Sequence, residues 1–222
     1  MAAMFLRVAA VVSGRGSNLA ALLRALGDAA PARVVLVISN RKDAGGLDVA
    51  REHGIPTHVL NDTADPAEWL RVLAGAEADL VVLAGYLKRV PDETVEAWRG
   101  RIINIHPALL PKHGGAGMYG RLVHEAVLAE GATVSGATVH LVTEEYDRGA
   151  ILGQAEVPVL PGDTPDALAA RVLAIEHRLL PAAVLAAAAA GRPVPFRLDS
   201  DDAGSGATSP LKSAEHPDSL IP

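Results

Sequence analysis

The first half of the chain alternates between two kinds of hydrophobic pattern. Continuous apolar runs predict parallel strands that are covered on both faces, and they fall at 6–13, 33–40, 56–60, 78–85 and 101–106. Between them, apolar residues recur every three or four positions, which predicts helices at 17–29, 44–54, 65–76 and 91–100. This order predicts an α/β fold with a doubly wound, mostly parallel, Rossmann-like sheet, which binds ligands at the carboxyl ends of its strands.

The second half of the chain has a different pattern. Residues 136–160 alternate between apolar and polar positions, like two antiparallel strands joined by the acidic turn "TEEYDRG". A long helix follows at 164–191, with Thr164 as its N-cap. The last part of the chain is rich in Ser, Asp, Gly and Pro, which is typical of disorder. We therefore expect one domain over 1–196, with an antiparallel addition and a long C-terminal helix, and a disordered tail over 197–222.

Composition and charge narrow the range of functions. Half of the 222 residues are apolar but only 3% are aromatic, so Ala, Val and Leu must build the core. The formal net charge of −6 and the lack of long Lys or Arg runs disfavour a nucleic-acid partner. Without cysteine the chain has no disulfide, no thiolate metal site and no cysteine nucleophile. The apolar start is too short to span a bilayer, so we expect a cytoplasmic protein with no membrane partner.

The motif "SGRGSNL" joins the first strand to the first helix. Gly14 and Gly16 allow a tight turn, and Ser17 and Asn18 stand in the first turn of the helix. Free backbone N–H groups at a helix N-terminus form an anion site, but an ordinary turn with Ser17 as N-cap explains the motif equally well. Leu19 replaces the third glycine of the dinucleotide fingerprint. If the motif binds a ligand, that ligand is therefore a single phosphate, such as that of a sugar phosphate.

The strand at 101–106 ends in two polar residues. Residues two apart in a strand share a face, so Asn104 and His106 project together and Ile103 and Ile105 point the other way. Pro107 ends the strand, which places the pair at the ligand-binding edge of the sheet. The amide can donate to an oxyanion and the imidazole can exchange a proton. From these residues alone, however, a structural pair is the favoured interpretation, with a His bonded to a carbonyl and an Asn closing a turn.

Two carboxylates are further candidates. Asp147 lies in the acidic turn, where it can support an imidazole or simply form the turn. Glu176 lies on the apolar side of the long helix, where it can face a ligand or pair with Arg178. A metal site is not expected, because the helix that carries His124 lacks the second His of a zinc-protease motif.

Six motifs in fixed order resemble those of the glycinamide ribonucleotide formyltransferase family. They are "SGRGSNL", "ISNRKDAGGLDVA", "VVLAGYLKRV", "NIHPALLPKHGG", "GATVHLVTEEYDRGAIL" and "EHRLLP". The resemblance extends over roughly residues 6–195. It implies transfer of the formyl group of 10-formyltetrahydrofolate, a co-substrate, to the amine of 5′-phosphoribosylglycinamide, the third step of de novo purine synthesis. It also implies that no metal takes part.

The resemblance assigns a role to each matching residue. The phosphate is held by Gly16, Ser17 and Asn18, and the ribose hydroxyls by Glu176. Asn104, His106 and Asp147 form the catalytic group. The folate pocket is lined by Leu87, Lys88, Arg89, Val90, Asn104, Thr143, Glu144, Glu145, Tyr146 and Asp147. The implied partners are these two small molecules, and the protein is expected to be a monomer or a homodimer.

Departures from the family pattern and alternative functions also follow from the sequence. The segment 60–70 is shorter than in some members, and no basic folate contact can be placed there. The loop at 112–120 is rich in glycine, which suggests a mobile flap.

Methionyl-tRNA formyltransferase and formyltetrahydrofolate deformylase share the catalytic signature, but the first has a C-terminal RNA-binding domain and the second an N-terminal regulatory domain. A binding module without catalysis, which senses a nucleotide or a folate, is the alternative from another class.

Overall fold

A seven-stranded sheet runs through the residues that the computed structural model describes, 5–27 and 29–198. The strands are β1 (Leu6–Val12), β2 (Ala32–Ser39), β3 (Thr57–Val59), β4 (Leu80–Leu83), β5 (Ile102–His106), β6 (Val134–Leu141) and β7 (Ile151–Pro158). Their order is β3-β2-β1-β4-β5-β6-β7, parallel from β3 to β5, with β6 and β7 added antiparallel. The predicted fold class is confirmed. The expected disordered tail lies, beyond residue 198, outside the described residues.

Helices cover both faces of the sheet. They are α1 (Ser17–Leu26), α2 (Gly45–Glu52), α3 (Pro66–Gly75), α4 (Asp92–Ala97), α5 (Arg121–Ala129) and α6 (Pro165–Ala190). The predicted N-cap of the long helix is present, because Thr164 accepts a hydrogen bond from the N–H of Ala167, and Asp65 caps α3 in the same way through the N–H of Ala67. The predicted end of α1 at residue 29 is wrong. Gly27 leaves the helical conformation with a φ of +42°, and α1 ends there.

The core has two layers, one on each face of the sheet. Alternation along β1 divides its side chains, with Ala10 and Val12 in a first layer under α1, α2 and α6, and Ala9 and Val11 in a second layer under α3 and α4. Within the described part of the chain, α6 is the one helix long and apolar enough to cross a membrane. Its apolar side chains belong to the first layer, and it packs against β6, β7 and α1. It is therefore a core helix.

The strand order reverses between β1 and β4. The chain moves outward from β1 through β2 to β3, then returns to place β4 on the other side of β1. Ligands bind at such a reversal, outside the carboxyl ends of the strands. The turn after β1 packs closely on α2 there, since a Cβ on Gly16 would lie 2.4 Å from the Cα of Gly46. Only glycine fits at position 16, and the start of α1 is thereby fixed beside the crevice.

Away from the crevice, we expect Glu68→Ala to lower the free energy of unfolding by about 1–3 kcal/mol at neutral pH, because it removes a buried carboxylate that accepts several part-buried hydrogen bonds. The Glu68 carboxylate is 5% exposed and bonds to His58 Nε2 at 2.8 Å and to the backbone N–H groups of Asn61 and Asp62. Burial alone would raise the pKa of Glu68, but these bonds hold it at about 2. Its contribution is therefore complete above the ordinary pKa of 4.5 and is lost as the pH falls toward 2.

Urea unfolding of both proteins at neutral pH and at about pH 3 measures this effect. The difference between the two proteins should shrink in acid. A difference that is equal at both pH values would show that the ionised carboxylate is not its source.

Candidate active site

A cavity of about 510 Å³ lies at the carboxyl ends of the central strands. Every residue that the sequence assigned to a site lines it. These residues are Gly16, Ser17, Asn18, Leu87, Lys88, Arg89, Val90, Asn104, His106, Thr143, Glu144, Glu145, Tyr146, Asp147 and Glu176. The fold thus brings the turn after β1, the β5 pair, the acidic turn and the long helix around one space.

The two polar residues of β5 lie on the predicted face. Ile103 and Ile105 pack in the first layer, whereas Asn104 and His106 line the cavity. His106 is 3% exposed, and its Nε2 lies 2.8 Å from the carbonyl oxygen of His113. Because a carbonyl oxygen can only accept, the neutral ring carries its proton on Nε2. Nδ1 is then the nitrogen of His106 that is free to exchange a proton.

Asp147 comes from the loop between β6 and β7 and reaches His106. Its Oδ2 lies 3.6 Å from His106 Nδ1 and accepts a hydrogen bond of 2.9 Å from the N–H of Gly115. Burial alone would raise the pKa of Asp147, but the proximity of His140 and His106 and the bond from Gly115 hold it below its ordinary value. Burial lowers the pKa of His106 more than the Asp147 charge raises it. At neutral pH the pair is therefore a carboxylate beside a neutral imidazole.

His140 belongs to this cluster, although it is not among the residues predicted from the sequence. Its Nδ1 lies 2.8 Å from the carbonyl oxygen of Leu141, so Nδ1 donates there. Its Nε2 lies 3.1 Å from Asn104 Nδ2 and 3.4 Å from Asp147 Oδ1. The neutral ring therefore accepts a hydrogen bond from Asn104 and fixes the orientation of that amide. The signal that could have found His140 is strand pairing, since it stands opposite Asn104 in the register of β5 and β6.

The other end of the cavity is formed by α1 and α6. Gly16, with a φ of +81°, takes the N-cap position of α1 and offers no side-chain bond, so the alternative of Ser17 as N-cap is wrong. Asn18 Nδ2 donates to Glu176 Oε2 at 2.7 Å, and Asn18 Oδ1 has no hydrogen-bond partner among the described residues. The partner of Glu176 is thus Asn18 rather than Arg178. Burial, only partly offset by the Asn18 bond, raises the pKa of Glu176 to about 7.

Two further loops, one after β4 and one between β6 and β7, line the cavity beside the second core layer. Arg89 joins them, because its Nη2 donates to Asp92 Oδ1 at 2.6 Å and to the carbonyl oxygen of Glu144 at 2.8 Å. Its guanidinium also lies 5.8 Å from the ring centre of Tyr146. Tyr146 and Leu87 are about half exposed, at 47% and 52%. This side therefore offers apolar surface and backbone groups, which suit a flat heterocycle.

His124 lies on α5 beside the cavity and is 4% exposed. Its Nδ1 has no hydrogen-bond partner within the described residues.

In the ranges 5–27 and 29–198, no three His, Cys, Asp or Glu side chains are grouped so that they could hold a metal ion.

Known proteins resemble this chain over most of its length. The family described as Formyl transferase matches residues 6–184. Phosphoribosylglycinamide formyltransferase, chloroplastic, of Arabidopsis thaliana is 48% identical over 181 residues, which are 78% of this chain and 62% of that protein. The chain thus spans less than two thirds of that relative. Phosphoribosylglycinamide formyltransferase of Haemophilus influenzae is 39% identical over 186 residues, which are 79% of this chain and 84% of that protein.

A solved structure has the same fold. Phosphoribosylglycinamide formyltransferase from Anaplasma phagocytophilum superposes with a TM-score of 0.80 at 38% sequence identity. The match covers 95% of each chain, so the similarity extends beyond the sheet to the C-terminal strands and the long helix.

Proposed function

The chain belongs to the formyl transferase family, and we propose that it transfers the formyl group of 10-formyltetrahydrofolate to the amine of 5′-phosphoribosylglycinamide. The products are formylated ribonucleotide and tetrahydrofolate, in the third step of de novo purine synthesis. One observation carries the proposal: the Asn104–His106–Asp147 cluster lies in the same cavity as the start of α1 and the buried Glu176. One space can therefore hold an anionic sugar and place its amine against an oxyanion site.

The ribonucleotide fits the end of the cavity at α1 and α6. The backbone N–H groups of Gly16, Ser17 and Asn18 lie at the N-terminus of α1, which is the positive end of the helix dipole. They would hold the phosphate. Glu176 would accept hydrogen bonds from the ribose hydroxyls. The folate would lie against Leu87–Val90 and Thr143–Asp147, with its formyl group toward Asn104.

The transfer can be written as direct attack. The amine nitrogen bonds to the formyl carbon, and the carbonyl oxygen becomes an oxyanion that Asn104 and protonated His106 stabilise. The bond from that carbon to N10 of the folate then breaks. N10 takes up the proton that the attacking amine gives up, through a water ordered by Asp147. The charges of Asp147 and of the oxyanion together favour the imidazolium of His106, against the burial that lowers its pKa.

An assay with both substrates tests the proposal. The full chain is mixed with 5′-phosphoribosylglycinamide and 10-formyltetrahydrofolate, and release of tetrahydrofolate is followed by absorbance. Turnover that requires the ribonucleotide supports formyl transfer. Release without the ribonucleotide would support the deformylase alternative, because water would then be the acceptor. No release by a folded sample would support a binding module.

The remaining parts of the proposal concern the whole protein. We infer that residues 1–196 form the catalytic domain and that the protein acts in the cytoplasm on small molecules, as a monomer or a homodimer. The net charge of −6 and the burial of α6 in the core are consistent with a protein that binds neither nucleic acid nor membrane.

We expect Glu176→Ala to raise the KM for the ribonucleotide by about 10- to 100-fold, the usual loss for a hydrogen bond to a charged group. The KM for the folate should change far less, because Glu176 lies at the other end of the cavity from Thr143–Asp147. Since the pKa of Glu176 is about 7, its accepting carboxylate forms as the pH rises through neutrality. The ribonucleotide KM of the unmodified protein should therefore fall over that range.

Steady-state kinetics with each substrate varied in turn measures this effect. Glu176→Gln is the matched variant, since it keeps the shape of the side chain and should lose the pH dependence. A ribonucleotide KM that is unchanged in Glu176→Ala would refute the role of Glu176.

A further inference from the structure

The loop after β5 crosses directly over the catalytic cluster. The carbonyl oxygen of His113 accepts from His106 Nε2 at 2.8 Å, and the N–H of Gly115 donates to Asp147 Oδ2 at 2.9 Å. These two backbone groups belong to one short segment, His113–Gly115. They hold both members of the pair whose facing atoms, His106 Nδ1 and Asp147 Oδ2, lie 3.6 Å apart.

Gly114 lies at the centre of this segment, where a side chain would displace its neighbours. A Cβ on Gly114 would lie 2.4 Å from Leu110 Cδ2 and 3.2 Å from Asp147 Cβ. His113 has a φ of +53°, in the left-handed region that non-glycine residues seldom adopt. Such a conformation persists only where surrounding contacts hold it.

Glu130 supplies such a contact from outside the cavity. It follows the last turn of α5 and is not among the residues that line the cavity. Its Oε2 lies 2.8 Å from His113 Nε2, and its Oε1 lies 2.9 Å from Lys112 Nζ. One carboxylate thus ties two consecutive residues of the loop to the end of α5.

We propose that His113 and Gly115 are positioning residues that hold His106 and Asp147 through the backbone, and that Glu130 holds this segment in place. The His113 carbonyl keeps the proton of neutral His106 on Nε2, so that Nδ1 alone exchanges protons. The charged and titratable groups around His106 are Asp147, His140, His113 and His124. Only His113 bonds to Nε2, and it does so with an uncharged backbone oxygen. The catalytic consequence rests on the proposed formyl transfer, whereas the tautomer does not.

The tautomer is tested without substrate. The full chain is labelled with ¹⁵N at histidine, and the His106 signals are assigned by their loss in His106→Gln. Above the pKa of His106 we expect a single neutral form with its proton on Nε2. A proton on Nδ1, or an even mixture of the two forms, would overturn the proposal. A single Nε2–H form in a protein that transfers no formyl group would leave the proposal standing and refute the proposed function.

Two variants test whether Gly114 and Glu130 hold the segment His113–Gly115 in place over His106 and Asp147. Gly114→Ala should lower kcat on the order of 100-fold, because small displacements of reacting groups are that costly, and it should mix the His106 tautomers. Glu130→Ala should lower kcat by roughly two- to fivefold, the range of an exposed ion pair, with both KM values unchanged. Asp48→Ala, which breaks the exposed pair with Arg51 on α2, is the control and should leave kcat unchanged.

The two variants also separate positioning from stability. If Gly114→Ala does not fold, Glu130→Ala still tests whether the contacts of Glu130 hold the segment, since the Glu130 side chain is on the surface and its removal should not prevent folding. Wild-type kcat and an unchanged His106 spectrum in Glu130→Ala would overturn the role of Glu130. A folded Gly114→Ala with wild-type kcat would overturn the role of the segment.

Discussion

His106→Ala is expected to lower kcat by about 10²- to 10⁴-fold, the usual contribution of a positioned acid or base. The imidazole is buried beside Asp147 and lines the cavity next to Asn104, so it is placed to donate to the oxyanion from Nδ1. The KM for the ribonucleotide should change little, because the proposed binding site for that substrate lies at α1 and α6. Absorbance assays of tetrahydrofolate release, at saturating levels of both substrates, measure the effect.

The pH dependence gives a second test of the same residue. If protonated His106 is the active form, kcat/KM contains a limb that falls as the pH rises through the pKa of His106. That pKa lies below its ordinary value, since burial outweighs the charge of Asp147. The limb should be absent in His106→Ala and present in His53→Ala, which removes an exposed histidine of the turn after α2. Turnover that is nearly unchanged in His106→Ala would refute the proposed role of His106, although the proposed enzymatic activity would stand.

The part of the site that sequence predicts is the part that local geometry fixes. Strand periodicity alone places Asn104 and His106 on one face, and Pro107 ends the strand at the edge of the sheet. The same local reasoning finds the tight turn after β1, and the fold adds that its approach to α2 requires glycine at position 16. It does not find the end of α1, since a glycine in a helical pattern can continue the helix or end it.

The contacts that sequence does not predict join distant segments. His140 meets Asn104 through the antiparallel register of β5 and β6, which becomes visible only once the two strands are known to be neighbours in the sheet. The bond between Asn18 and Glu176 joins residues that are 158 positions apart. The bond from His106 to His113 uses a backbone carbonyl. Because every residue has one, the residue type at position 113 gives no sign of this bond. The family resemblance pointed to Asp147, but only the fold shows that it lies between two histidines.

Asp147→Asn is expected to lower kcat by about 10²- to 10⁴-fold as well, since it removes the charge that supports the imidazolium and the proposed proton relay. The amide keeps the size of the side chain and can still accept the bond from Gly115 through its oxygen. In the pKa of His106, burial acts downward and the charge of Asp147 acts upward. Without that charge, the pKa of His106 should fall further, so that the imidazolium forms only at lower pH.

An NMR titration of the labelled histidines in the absence of substrate measures that shift directly, and kcat is measured on the same samples. Glu96→Gln is the control, because it removes one negative charge from an exposed position on α4. Loss of kcat together with a lower His106 pKa means that Asp147 acts through the imidazole. Loss of kcat with an unchanged His106 titration would instead assign Asp147 to the water relay alone. Wild-type kcat would remove Asp147 from the mechanism, and the 3.6 Å approach to His106 would then be structural.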